Sequence, residues 1–214
     1  MQTYNPTIHH RRSIRLKGYD YSQEGLYFIT ICCQDKVCRF GKIVKEEMIL
    51  NDFGKIACEE WIKLSERYPN ILLDVFQIMP NHVYGVIMLN DNDVGATLAV
   101  AQNENAVAQY DRAGASPART IDQNDGAIQR VGANVGATLA VAQYNTIGSI
   151  VGAYKSLVVN QCLKICKSHN KYMGKLWHRN YWEHIVRNEK SYQRIANYII
   201  NNPTKWENDK FYPK

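Results

Sequence analysis

The residues with the clearest chemical potential lie in the C-terminal stretch "SYQRIANYIINNPTKW". Tyr198 and Asn202 are four positions apart, so on a helix they share one face. A phenol can attack phosphorus and form a covalent intermediate. A carboxamide oxygen is a hard ligand that suits Mg²⁺ or Mn²⁺. The alternative is that Tyr198 packs in the core and Asn202 only ends the helix.

A second candidate site lies in "MPNHVYGVIML", where His82 follows a Pro-Asn turn and opens an apolar strand. Strand alternation sends His82 and Tyr84 to the same face of a sheet. Two ligands spaced in this way can hold one metal ion from one side. Without further context, a single histidine at this position is more often structural than a metal ligand.

The periodicity of the chain predicts the elements that would position these residues. Strands are predicted over residues 25–35, 71–80 and 82–89, with a strand or extended loop over 175–186. Helices are predicted from a cap at Asn51 or Asp52 to Arg67, from 147 to about 167, and from 189 to 202, where Pro203 stops the last one. The strands on either side of Pro80-Asn81 are expected to pair antiparallel. This order predicts an α+β fold with an antiparallel β-sheet flanked by helices.

A long insert is predicted to interrupt this domain. The nonapeptide "VGATLAVAQ" occurs at Val94 and again at Val135, in a stretch rich in Ala, Gly, Asn and Gln. Such a segment buries too little apolar surface to offset its ordering entropy, so it is predicted to be disordered, or else to act as a flexible lid or partner tail. The predicted division is a basic arm (1–24), a first half-domain (25–89), the insert (90–146) and a second half-domain (147–214).

The charge distribution favours a polyanionic partner. The chain has 26 basic and 20 acidic residues. Three of the basic and six of the acidic residues fall in the insert, which leaves 23 basic and 14 acidic residues in the rest of the chain. The chain has no apolar run of about 18 residues and no secretory signal, so we expect no membrane span and a cytoplasmic location. The six cysteines lack Cys-x-x-Cys spacing and are predicted to be reduced, buried side chains.

Four segments resemble the REP-associated tyrosine transposases, a branch of the single-tyrosine HUH transposases. They are "HHRRSIRLKGYDYSQEGLYFITIC", "QIMPNHVYGVIML", "LWHRNYWEHIVRNE" and "YIINNPTKW". The family pattern Pro-x-His-hydrophobic-His falls on Pro80 to Tyr84, and its Tyr-x-x-x-Asn-Pro pattern falls on Tyr198 to Pro203. The resemblance implies a ferredoxin-like HUH fold. It also implies that His82, its partner at position 84 and Asn202 bind Mg²⁺ or Mn²⁺, which polarises a scissile phosphate.

The resemblance further implies a reaction on single-stranded or hairpin DNA. Tyr198 would attack the backbone and become linked to the 5′ end of the cut strand, leaving a 3′ hydroxyl. The phosphotyrosine bond conserves the energy needed for rejoining. The basic residues expected to contact DNA phosphates are Arg11, Arg12, Arg15, Lys17 and Arg179. A monomer or homodimer, associated with the nucleoid when DNA is bound, is expected.

The chain departs from the family pattern at position 84, where Tyr84 replaces the second histidine. A neutral phenol with a pKa near 10 is a poor Mg²⁺ ligand. The alternatives are that a bound metal lowers the pKa of Tyr84, that water fills the gap, or that His184 or Glu183 contributes a ligand. The alternative function is therefore a DNA-binding protein that recognises repeat hairpins without cutting them. A third alternative, an RNA-binding module, would prefer strands that carry 2′ hydroxyls. The neighbouring aromatics Trp177, Tyr181 and Trp182 are expected either to stack on bases or to pack in the core.

Overall fold

A computed structural model of the chain describes residues 18–90 and 146–213. Its strands are β1 (Gly25–Cys32), β2 (Gly41–Val44), β3 (Glu47–Leu50), β4 (Ile71–Met79), β5 (His82–Leu89) and β6 (Trp182–Val186). Its α-helices are α1 (Asp52–Ile62), α2 (Leu64–Arg67), α3 (Ile147–Ser168) and α4 (Glu189–Ile200), and 3₁₀ segments occupy Gln34–Lys36 and Pro203–Asn208. Nearly all of the predicted insert and four of the predicted DNA contacts (Arg11, Arg12, Arg15 and Lys17) lie outside the described residues.

The central sheet has the strand order β4-β5-β1-β6, and every neighbouring pair is antiparallel. Two β-α-β units therefore interleave, with β4 parallel to β1 and β6 parallel to β5. This is the split arrangement of the ferredoxin-like fold. The prediction of an antiparallel sheet flanked by helices is confirmed, as is the pairing of β4 with β5. Within the described ranges, no helix combines the length and apolar character required to cross a bilayer.

One face of the sheet is covered by α1 and α3 around a fully buried tryptophan. Trp61 stacks on Phe76 with ring centroids 6.0 Å apart and meets Tyr154 edge-on at 5.2 Å. A Cβ at Gly85 on β5 would collide with the Trp61 ring, so the glycine lets the helix approach the strand. The Tyr154 hydroxyl donates to the Ala57 carbonyl at 2.9 Å and ties α3 to α1.

The opposite face carries the two motifs and is covered by α4. Ile195 and Ile199 from the buried side of this helix pack with Met79 and Tyr84 of the sheet. The helix lies over β4 and β5, which leaves the β6 side of this face without a helix among the described residues. The final helix is therefore held next to the strand that begins with His82.

Several element boundaries differ from the predictions. The first predicted helix breaks at Lys63 into α1 and α2, and only Trp182–Val186 of the segment 175–186 is a strand. The β2–β3 hairpin was not predicted, because both residues of its turn, Lys45 and Glu46, have positive φ (50° and 65°). A turn of this type usually signals itself through Asn-Gly or Asp-Gly. All six cysteines are free and five are buried, as predicted, whereas Cys38 is exposed.

Candidate functional site

The hydroxyl of Tyr198 is both held in place and accessible. It donates to Asp209 Oδ2 at 2.8 Å and lies 2.8 Å from the hydroxyl of Tyr84. Because its only proton is directed at Asp209, it accepts the hydrogen bond from Tyr84. The Tyr198 side chain is 40% exposed, whereas Tyr84 is buried beneath it. A substrate can therefore reach the phenol that the family pattern marks as the nucleophile.

Asp209 joins the side chains of this site. Its Oδ2 also accepts from Asn202 Nδ2 at 2.9 Å and shares the Tyr84 proton with Tyr198 at a longer distance, 3.3 Å, and its Oδ1 accepts from the Phe211 backbone N–H at 2.7 Å. Partial burial raises the pKa of this carboxyl, but the hydrogen bonds from Asn202, Phe211 and Tyr198 outweigh that effect and leave the pKa below its ordinary value. The carboxylate is thus anionic at neutral pH and lies next to the phenolic proton.

The ring of His82 is fully buried, and Asn81 sets its tautomer. Asn81 Nδ2 donates to the carbonyls of Lys36 (2.9 Å) and Phe211 (2.8 Å), so its Oδ1 faces His82 and accepts from Nδ1 at 2.8 Å. The proton on Nδ1 leaves Nε2 as a bare lone pair. That Nε2 atom is buried and has no hydrogen-bond partner among the described groups. Burial also lowers the pKa of His82 to about 3, which keeps the ring neutral at physiological pH.

A hydrogen bond likewise fixes the orientation of the Asn202 amide. Asn202 follows α4 with helical backbone angles and precedes Pro203. Its Nδ2 faces the Asp209 carboxylate, so its Oδ1 is the free atom, and that oxygen is buried without a hydrogen-bond partner in the described structure. An imidazole lone pair and an amide oxygen, both unpartnered, fit the donor set that a divalent cation takes. No cluster of three or more His, Cys, Asp or Glu occurs in the described ranges.

Tyr84 occupies the face that strand alternation predicted, with its ring centroid 4.3 Å from that of His82. Burial, and then its hydrogen bond to Tyr198, raise the pKa of the Tyr84 phenol far above its ordinary value. Tyr84 therefore remains a neutral hydrogen-bond donor to the candidate nucleophile. Its role as a metal ligand stays a prediction.

Comparisons with known proteins place the chain in a family. A Haemophilus influenzae protein with no assigned function is 40% identical over 209 residues, which cover 98% of this chain and 97% of that protein. This chain belongs to the same family. The resemblance to REP-associated tyrosine transposases is confirmed by a second Haemophilus influenzae protein that provisionally carries this name. It is 21% identical over 187 residues, covering 87% of this chain and 74% of that protein. No protein-family profile matches the chain.

Two solved structures are also similar to the chain. One is a REP-associated tyrosine transposase bound to a REP hairpin, with a TM-score of 0.49, 14% identity, and coverage of 90% of this chain and 74% of that one. The other is a provisionally named transposase from Deinococcus radiodurans, with a TM-score of 0.36, 13% identity, and coverage of 87% and 95%. TM-scores below 0.5 are too low to transfer the role of any residue.

Neither alternative to the missing family histidine lies at the site. Glu183 pairs with Ile29 and lies on the opposite face of the sheet from His82. His184 pairs with Phe28 on the correct face, but it is two strands and four residues away from His82. Ordinary strand spacings put the two backbones about 16 Å apart.

The residues that sequence reasoning missed are Asp209 and Asn81. Asp209 lies seven residues beyond Asn202, and only the 3₁₀ segment that starts at Pro203 returns it to the phenol. The proline was the available signal, because it cannot continue an α-helix and it begins the 3₁₀ segment. Asn81 was noted in the transposase motif, but its effect on the histidine tautomer depends on two distant carbonyls. Arg179 is exposed on the loop that precedes β6.

Proposed function

We propose that this protein nicks and rejoins single-stranded or hairpin DNA through a covalent 5′-phosphotyrosine on Tyr198. The observation that carries the proposal is the contact of the exposed Tyr198 hydroxyl with Asp209 and Tyr84, at 2.8 Å each, beside His82 and Asn202. The resemblance to REP-associated tyrosine transposases supports the choice of a DNA phosphodiester as the group that the phenol attacks. The hairpin bound to a transposase of that name supports DNA as the partner.

The chain's own residues supply the nucleophile and an acceptor for its proton. The Tyr198 oxygen forms the new bond to phosphorus, and its proton passes to Asp209 Oδ2, the acceptor it already contacts. The bond from phosphorus to the 3′ oxygen breaks, and that oxygen takes a proton from solvent. In rejoining, the 3′ hydroxyl gives its proton to solvent and attacks phosphorus, the bond from phosphorus to the Tyr198 oxygen breaks, and Asp209 returns its proton to the departing phenol.

A divalent metal would be held by His82 Nε2 and Asn202 Oδ1, two buried atoms of this site that lack hydrogen-bond partners in the described structure. Bound there, Mg²⁺ or Mn²⁺ would polarise the scissile phosphate. Asn81 acts on this centre through His82. Its side-chain oxygen accepts the hydrogen bond from His82 Nδ1, so the proton stays on Nδ1 and Nε2 is left free to bind the metal. Burial raises the pKa of Tyr198 to about 12, so the phenol is not ionised in advance and needs an acceptor for its proton.

The test is a covalent adduct on a hairpin oligonucleotide that carries a single-stranded flank. With Mn²⁺ the wild-type protein is expected to form a species that survives denaturing electrophoresis and carries the labelled DNA. Tyr198→Phe should form none, while Tyr172→Phe, a matched change at a tyrosine that is 96% exposed, should behave as wild type. Hairpin binding without any adduct in the wild-type protein would remove the nicking function.

One observation favours a second candidate, a protein that binds repeat hairpins without cleaving them. Tyr84 stands where the family pattern has a histidine, and its phenol stays neutral. If the centre is only weakened at this position, Tyr84→His should raise the rate of adduct formation above that of wild type. If Tyr84→His binds the hairpin and still gives no adduct, the binding function is the better assignment.

A further inference from the structure

The sheet face that carries the candidate nucleophile also carries one exposed tryptophan. Thr30 on β1 pairs with Tyr84 on one side and with Trp182 on the other, so these side chains form a row across the face. Ordinary strand spacing puts the backbones of Tyr84 and Trp182 roughly 10 Å apart. Because α4 covers the β4 and β5 side of the face, the Trp182 side chain is left 39% exposed. The tryptophan therefore lies a short distance from Tyr198 on the same accessible surface.

The Trp182 ring is held flat against a neighbour. It stacks on His178 with centroids 5.6 Å apart and an interplanar angle of 15°, and it lies 6.1 Å from Phe211. The His178 backbone is fixed as well: its N–H donates to Cys32 O at 2.9 Å, and Lys155 Nζ donates to its carbonyl at 2.8 Å. A large aromatic surface that is already ordered loses little entropy when a ligand stacks on it.

Cationic residues adjoin this aromatic pair. Lys210 Nζ lies 4.7 Å and Lys36 Nζ 5.7 Å from the centroid of Phe211, which contacts Trp182. Lys36 also donates to the Lys210 carbonyl at 3.1 Å, which ties the C-terminal segment to the end of β1. Arg179 is exposed directly after His178. Aromatic faces bordered by ammonium and guanidinium groups are the combination that binds unpaired nucleic acid strands.

We propose that Trp182, backed by His178, is a stacking platform for an unpaired base of the DNA strand that Tyr198 attacks. This inference rests on the proposed function, because it names where the single-stranded part of the substrate lies. Lys210, Lys36 and Arg179 contact the phosphates on either side of the stacked base. Of the other two aromatics of this segment, Trp177 is buried in the core and Tyr181 is half-buried against it, which leaves Trp182 as the platform.

The experiment measures the affinity of the full chain for a labelled short oligothymidylate by fluorescence anisotropy, with a blunt DNA duplex of the same length as the comparison. Trp182→Ala is expected to weaken single-strand binding about 5- to 150-fold, the range for loss of one base–aromatic stack. Duplex binding should stay within twofold of wild type. Trp182→Phe should keep most of the single-strand affinity, and Tyr172→Ala, which removes an exposed aromatic elsewhere, should keep all of it.

A salt series separates stacking from charge. Trp182→Ala should leave the dependence of affinity on salt unchanged, whereas Lys210→Gln should reduce its slope by about one. The platform is overturned if Trp182→Ala binds the oligothymidylate as wild type does, if it weakens duplex binding equally, or if wild type does not bind the strand. A wild-type dimer that Trp182→Ala dissociates would assign the residue to a subunit interface and also overturns the platform.

The adduct assay distinguishes failure of the platform from failure of the proposed nicking function. Strand binding that depends on Trp182, with no adduct on Tyr198, removes the nicking function and leaves the platform. An adduct that forms at the wild-type rate in Trp182→Ala, with unchanged strand affinity, removes only the platform.

Discussion

Replacing Asp209 with alanine should destabilise the folded protein, because four donors lose one acceptor. Two of them, the Asn202 amide and the Tyr84 hydroxyl, belong to buried side chains. Leaving a buried donor unpaired costs about 1–3 kcal/mol. The exposed Tyr198 hydroxyl can turn to water, so we count only the buried pair. The longer bond of Tyr84, at 3.3 Å, adds little, because that hydroxyl keeps Tyr198 as a partner. The expected loss, nearly all of it from the Asn202 amide, is about 1–3 kcal/mol.

Thermal unfolding followed by circular dichroism measures this loss directly. For a domain of this size each kcal/mol shifts the Tm by about 2–4 °C, so Asp209→Ala should lower the Tm by about 2–12 °C. The matched control is Glu207→Ala, an exposed acidic residue of the same 3₁₀ segment, which should change stability by less than about 0.5 kcal/mol. Equal Tm values for the two variants would refute the account of Asp209 as the acceptor shared by this site.

Two further predictions concern the core. Gly85→Ala should lower the free energy of unfolding, measured by chemical denaturation, by about 1–3 kcal/mol, because the new methyl group would overlap the Trp61 ring. Gly152→Ala, at an open position in α3, should raise it by about 0.5–1 kcal/mol. Equal effects would contradict the packing argument. Burial raises the pKa of the Cys58 and Cys162 thiols to about 12, while unfolded thiols ionise near 8.5. The unfolded chain therefore binds fewer protons above about pH 8.5, and folding stability should fall as pH rises, by up to about 1.4 kcal/mol per thiol and pH unit. Replacing both cysteines with alanine should flatten that decline in denaturation curves recorded between pH 8 and 10; an unchanged slope would show that these thiols are not its source.

The sequence by itself determined the order of the main elements and the two motifs. Alternation of apolar residues placed His82 and Tyr84 on one face of a strand, and the spacing of Tyr198 and Asn202 placed both on one side of a predicted helix, which in the structure ends at Ile200. These features are readable because strand and helix periodicities are local properties of the chain. The antiparallel pairing around Pro80-Asn81 follows for the same reason, since a short turn joins adjacent strands.

Only the tertiary structure decided which groups complete the site. Asp209 meets Tyr84 across 125 positions of the chain, and Asn81 meets the Phe211 carbonyl across 130. No local pattern encodes a hydrogen bond between such distant groups, because it exists only once the sheet and the C-terminal segment have packed together. The same holds for two tryptophans of similar sequence surroundings. Only packing in the folded protein buries the ring of Trp177 in the core and leaves the ring of Trp182 exposed.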